Sequence, residues 1–320
     1  MQYTEGTGAV GLIDALRRNI GRVIVGKEEE IGLMLISLIC RGHVLIEDVP
    51  GVGKTTLASA LAKSLQCSFR RIQFTPDVTP GDVTGYTLIN MHTGENEFRP
   101  GAVMSQIVLA DEINRTSPRT QSSLLEVMEE GQVTVDGVTR LLPRPFMVLA
   151  TQNPVDFVGT YPLPEAQMDR FFMRIRIGYP TVEEETDVLE RYTGLNLPMQ
   201  NLAPVCSAEE IVNLQEQLGQ VYCSRELRQY VALIAAKTRE HPLIRLGVSP
   251  RGSIALLRAG QALALLSGRD YVIPDDVRSM ACPVLCHRLV LSPDARVKGV
   301  QPEKILSEVL SVVPVPVKRA

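Results

Sequence analysis

Lys54 and Thr55 stand near the end of Asp48-Val49-Pro50-Gly51-Val52-Gly53-Lys54-Thr55-Thr56, a run whose residue types can cradle phosphate. Gly51 and Gly53 let backbone N–H groups converge on phosphate oxygens, and a helix starting there adds the partial positive charge of its N-terminus. Lys54 would reach the β- and γ-phosphates of a nucleotide, and the Thr55 hydroxyl would ligate Mg²⁺. The strict pattern wants Gly where Asp48 stands; Asp tolerates turn geometry better than most residues, so the loop can still close. A chance Gly-rich turn is the bland reading. Against it, apolar Val44-Leu45-Ile46 suits a buried strand before the loop, and Leu57-Ala58-Ser59-Ala60-Leu61-Ala62 suits a helix after it.

Two further apolar runs end in polar groups. Ile107-Val108-Leu109-Ala110 ends in Asp111-Glu112. A carboxylate at a strand end beside a phosphate loop can hold the Mg²⁺ water shell, the part assigned to Asp111, and Glu112 would polarise the attacking water as general base. Phe146-Met147-Val148-Leu149-Ala150 leads into Thr151-Gln152-Asn153-Pro154, where the Asn153 amide could orient that water. By itself Asn-Pro is only a turn signal, and its order after the first two motifs favours the functional reading. Arg170 follows in Leu163-Pro164-Glu165-Ala166-Gln167-Met168-Asp169-Arg170-Phe171. Two readings stay open for it: a surface pair with Asp169, or an arginine finger reaching a neighbouring subunit's γ-phosphate.

These motifs together resemble those of the MoxR family of AAA+ ATPases. The resemblance rests on Leu45 to Thr55, Ala110-Asp111-Glu112-Ile113-Asn114-Arg115, Thr120 to Glu130, Ala150 to Pro154, Glu165 to Phe171 and Ser249-Pro250-Arg251-Gly252-Ser253. It covers about Val23 to Pro316, and in this family Asp48 is no departure. It implies ATP and Mg²⁺ as cofactors, hydrolysis at sites shared in a homo-oligomeric ring, expected as a hexamer, and Asn153 as sensor 1. It also implies a chaperone-like role that remodels or activates client proteins, often with a von Willebrand A-domain partner or in metal-centre maturation. Val25 and Gly26 would pack against adenine by the same resemblance; from spacing alone, 23–26 is a buried strand or turn before the first long helix. Ser249 fits an N-cap and Pro250 the first helical position, so Arg251 lies in a first turn, where a cation opposes the helix dipole. Either it is an exposed Arg with no partner, or ATP phosphate supplies the anion and Arg251 acts as sensor 2. Arg115 competes with Arg170 for the trans-acting role.

The elements that must position these groups divide at Gly178-Tyr179-Pro180. Residues 1–180 alternate β-like and helical runs, which argues a parallel sheet covered by helices: an α/β, P-loop AAA+ core. Residues 181–320 read as an all-helical lid, with capping boxes at Thr181-Val182-Glu183-Glu184 and Ser207-Ala208-Glu209-Glu210, Pro274 opening a further helix, and a polar connector over 195–205. Tyr86–Asn90 and Glu97–Arg99 suggest one hairpin. Gln132–Val135 and Val138–Leu141, flanking Asp136-Gly137, suggest another. They resemble the family's helix-2 insert and pre-sensor-1 hairpin.

Composition restricts the rest. A net charge of −3 gives no general attraction to nucleic acid, and the first insert carries Asp82, Glu95 and Glu97 against Arg99, which argues against a nucleic-acid translocase. A nucleotide-gated scaffold without turnover would not need Glu112, Asn153 and Arg170 together. The longest apolar run, Ile31 to Cys40, is too short to span a bilayer, and Met1-Gln2-Tyr3-Thr4-Glu5 does not begin a signal peptide, so a cytoplasmic location is expected. Cys282-x3-Cys286-His287 has no second ligand pair with it, which argues against zinc.

Overall fold

The computed structural model describes residues 8–92, 94–153, 159–193 and 197–316; Met1–Glu5, Thr93, Pro154 and residues 195 and 196 of the connector lie outside them. Five parallel strands form the main sheet in the order Phe69–Gln73, Ile107–Asp111, Met147–Gln152, Val44–Glu47, Met173–Ile175. The three middle strands are apolar until their last one or two positions because helices cover both faces, so their interior residues are fully buried. Polarity returns at Glu47, Asp111 and Thr151-Gln152, all at the C-terminal edge of the sheet, where open α/β sheets receive ligands. Glu47 is level with Gln152, and Ala110 with Ala150, so the strand tips end side by side.

Helix Lys54–Ser64 packs Leu57, Ala58, Leu61 and Ala62 inward, and helix Pro118–Glu130 starts on Ser117, whose hydroxyl accepts the Thr120 N–H. The turn at 23–26 does not precede the first long helix. Ala9–Gly21 is already helical, burying Ile13, Leu16 and Ile20 at the 3–4 residue period of an amphipathic face. Both hairpins form. Gly85–Ile89 pairs with Asn96–Pro100 and Gln132–Val135 with Val138–Leu141, the second turning through Asp136 and Gly137, both at positive φ as a type I′ turn requires. The Arg140 guanidinium lies 3.9 Å from the Phe98 ring centroid and joins the two hairpins.

Beyond residue 180 the structure is helical, with capping boxes at Thr181 and Ser207 and Pro274 at a helix start. It is not all-helical. Ile244–Leu246 and Val290–Leu291 form a short antiparallel pair, because the chain after helix Arg225–Glu240 runs extended beside the segment that follows the turn Cys286–Arg288. Among the described residues, no helix is long and apolar enough to cross a membrane.

One buried group ties the sheet to pH. His43 enters the first strand fully buried, its Nδ1 accepting the Val148 N–H at 3.0 Å and its Nε2 donating to the Met128 carbonyl at 3.0 Å. Burial pushes its pKa down to about 4. Between the ordinary value near 6.5 and about 4, the unfolded chain takes up a proton that the folded chain refuses. Stability is therefore complete above pH ~6.5 and falls on acidification, by on the order of 3 kcal/mol from this group. Urea denaturation from about pH 7.5 to 4.5 should show that slope, and His43→Gln should flatten it although buried His287, whose pKa is also lowered, keeps a share.

Candidate active site

The loop from Asp48 to Gly53 is shaped by two glycines in the left-handed region, Gly51 at φ 88° and Gly53 at φ 85°. A Cβ built on either meets open space, so the chain leaves room there, and Gly53 caps helix Lys54–Ser64 with no side chain to satisfy its first N–H groups. Free amides around an open hollow suit a phosphate chain. Lys54 is half-buried, and its Nζ donates to the Asp48 carbonyl at 2.8 Å. Burial draws its pKa down, while the charges of Asp48, Asp111 and Glu112 act the other way. The loop lysine and the acidic strand tip thus share one site. Thr55 and Thr56 follow in the first turn of the helix, and Pro50 and Val52 flank the glycines.

Asp111 and Glu112 are held by a residue that the sequence reading passed over. Thr151 Oγ1 donates to Asp111 Oδ1 at 2.6 Å and accepts the Glu112 N–H at 2.8 Å. Glu112 itself is at φ 57°, a backbone conformation uncommon for a non-glycine residue. Gln73 Nε2 donates to Glu112 Oε2 at 2.9 Å, Arg71 pairs with Asp111 at 2.6 Å, and Arg115 pairs with Glu112 at 3.2 Å. Arg71 and Gln73 share one face of their strand, and Gln73 is level with Asp111, so the two-residue period was the signal that could have found them. Asn153 is buried one residue past the Met147–Gln152 strand, beside this cluster.

Arg170 and Arg251 lie elsewhere, and together. Arg170 does not pair with Asp169; its guanidinium lies 3.3 Å from Glu129, which also takes Arg251. Asp169 is otherwise engaged, accepting from buried Arg288 Nε and from Ser249 Oγ, both at 2.8 Å. Ser249 is the N-cap of helix Pro250–Leu266, so that bond docks the helix start onto Asp169 and sets Arg251 beside Arg170. The anion that the first-turn position of Arg251 called for is Glu129. Both arginines line a cleft of about 220 Å³ with Arg41, Gly42 and His43, which precede the first strand, whereas the phosphate loop follows its far end. Four residues of strand span roughly 13 Å, so this pair stands at the opposite edge of the sheet from Lys54.

Gly26, next to Val25, sits against helix Val182–Tyr192: a Cβ on Gly26, at φ 67°, would strike Glu184, whose carboxylate also lies 3.6 Å from Lys27. At Cys282 and Cys286 the fold brings a third potential ligand, Glu303, to within 4.8 Å. Arg174 and Arg176 already flank that carboxylate at 3.0 and 3.9 Å, and two cations there oppose a metal dication.

A glycine-lined loop before a helix, beside an Asp-Glu strand tip on a parallel sheet, defines a P-loop nucleotide-binding protein of the AAA+ class. The family model for the ATPase family associated with various cellular activities matches residues 43–173, and an AAA lid domain model matches residues 236–309. The chain belongs to the MoxR family of AAA+ ATPases. It is 40% identical to the chaperone MoxR1 of Mycobacterium tuberculosis, over 97% of this chain and 85% of that protein. It is 55% identical to YeaC of Bacillus subtilis over 94% of both chains. A solved structure described as a candidate ATPase of Cytophaga hutchinsonii superposes with a TM-score of 0.90 at 38% identity, covering 96% of this chain and 95% of that one.

Proposed function

We propose that this chain hydrolyses ATP with Mg²⁺ in a homo-oligomeric ring, and that turnover drives remodelling or activation of client proteins. The observation that carries the reading is the separation of its charges. Lys54, Asp111 and Glu112 meet at one edge of the sheet, while Arg170 and Arg251 are paired at the other. Such arginines serve a phosphate only on an adjacent subunit, so both act in trans: Arg170 as the finger and Arg251 beside it, each leaving Glu129 for the neighbour's γ-phosphate. In the site itself Lys54 would hold the β- and γ-phosphates, Thr55 and Asp111 would hold Mg²⁺, which would supply charge neutralisation at the phosphates, and Glu112 would activate the attacking water with Asn153 orienting it. Val25 and Gly26 border the adenine. Arg115, paired with Glu112 in its own chain, is the weaker trans candidate.

For the client, the joined hairpins offer exposed Leu88, Ile89, Met91, Val138 and Leu141, an apolar surface suited to polypeptide rather than to a phosphate backbone. A von Willebrand A-domain protein or a metalloprotein awaiting its centre fits the family's role. The relative from Mycobacterium tuberculosis is named a chaperone.

Mixed rings test the shared site. Arg170→Ala subunits should bind ATP and hydrolyse it poorly; mixed with Glu112→Gln subunits, they should recover part of the turnover at interfaces that join an intact base to an intact finger. Full activity of Arg170→Ala alone, or no recovery in demonstrated hetero-rings, would remove Arg170 from the trans role. A DNA-stimulated rate would turn the client reading towards nucleic acid.

A further inference from the structure

Asp48 stands where the general phosphate-loop pattern has glycine, and nothing in the chemistry of phosphate binding asks for a carboxylate there. Its side chain is buried. Oδ1 accepts the Val49 N–H at 2.8 Å, and Oδ2 accepts two backbone N–H groups, Ile177 at 2.7 Å and Gly178 at 2.6 Å. Those two residues are the exit from the last sheet strand. Gly178 has φ 67°, and beyond it Thr181 caps helix Val182–Tyr192, which in turn presses Glu184 on Gly26.

The backbone of the same residue reaches two other parts of the site. The Asp48 carbonyl accepts the Lys54 ammonium, and its N–H donates to the Gln152 carbonyl at 3.2 Å, one residue before Asn153. One residue thus touches Lys54, the end of the strand that precedes Asn153, and the segment that leaves the last sheet strand.

We propose that Asp48 is a positioning residue that couples the phosphate site to the C-terminal region through the Ile177–Gly178 hinge. This rests on the nucleotide reading of the P-loop. The β- and γ-phosphates compete with the Asp48 carbonyl for the Lys54 ammonium, so binding alters the hold on the peptide that follows Asp48. Because the carboxylate is bonded on both sides, to Val49 and to the hinge amides, a change at that peptide is passed to Ile177 and Gly178. Arg251, engaged at the far edge of the sheet, does not make this connection within its own subunit. A carboxylate accepting two or three N–H bonds is a strong, directional tie, which an amide or a glycine cannot match.

Hydrogen exchange at the Ile177 and Gly178 amides reads the coupling directly. In the wild type these amides should be protected, and a non-hydrolysable ATP analogue should change that protection. Asp48→Gly restores the general loop pattern and keeps the backbone carbonyl that Lys54 contacts, and titration of the analogue is run beside the exchange measurement. The hinge amides of this variant should exchange about tenfold faster or more, and should no longer respond to the analogue. Asp48→Asn, closer in shape, should fall between, and Asp48→Glu should recover part of the response. The proposal is overturned if Asp48→Gly binds the analogue but keeps wild-type exchange and response, or if its affinity collapses while the hinge stays protected. If Asp48→Gly does not fold, wild-type exchange and response in Asp48→Asn overturn the proposal, and faster exchange with a weakened response supports it. An unmutated chain that fails to bind the analogue would instead refute the nucleotide reading, a result distinguishable from all of these.

Discussion

Glu112→Gln should lower kcat for ATP by about 10²- to 10⁴-fold while leaving ATP affinity within a few-fold of wild type, because only the water-activating base is removed. The substitution is close to isosteric. Glu112 is held by the Gln73 amide, by Arg115 and, through its N–H, by Thr151, and a glutamine keeps an oxygen to accept from Gln73 and leaves the backbone bond intact. The N–H bond to Thr151 does not involve the carboxylate, so the strand tip should retain its shape. Steady-state phosphate release set beside calorimetric titration of ATP with Mg²⁺ separates the two quantities. Unchanged turnover would mean that another group takes the proton.

Lys54→Ala acts earlier. Its ammonium is the fixed cation aimed into the loop, and two phosphates lose a charge-assisted hydrogen bond when it goes. At about 1.5–3 kcal/mol for each such bond, affinity should fall by about a hundredfold or more. The fold should survive, because Lys54 lies in the first turn of its helix and its visible partner is a single backbone carbonyl, Asp48 O. Titration at millimolar ATP, with circular dichroism to confirm folding, measures the effect. Retained affinity would remove the loop from the nucleotide site and separate this variant from Glu112→Gln, in which binding persists.

The particular elements that could be read without a structure share a local cause. The Asp136-Gly137 turn needs positive φ at both positions, and both residues accept it cheaply, so the hairpin was legible from two letters. Ser249, Thr181 and Ser207 cap helices through bonds to the third residue onward, an interaction complete within four residues. The loop at Gly51 and Gly53, the apolar run into Asp111-Glu112 and the strand before Asn153 are equally local, and their order along the chain was enough to place them on one sheet edge. The first helix, Ala9–Gly21, was missed although its apolar spacing is present.

Long-range pairing decided the rest. No spacing rule connects Arg170 and Arg251 to Glu129, since what unites them is the docking of Ser249 on Asp169, itself held by buried Arg288. Asp48 reads as an oddity in a glycine loop until Ile177 and Gly178 arrive at its carboxylate from 129 and 130 residues away. Thr151, Arg71 and Gln73 became site residues only when strand order laid them beside Asp111 and Glu112. Sequence by itself determined the turns, caps and strand ends that carry the candidate groups, because these are written in neighbouring residues. Tertiary structure alone decided which charges face one another, because a carboxylate takes whichever donor the packed sheet and helices bring within about 3 Å.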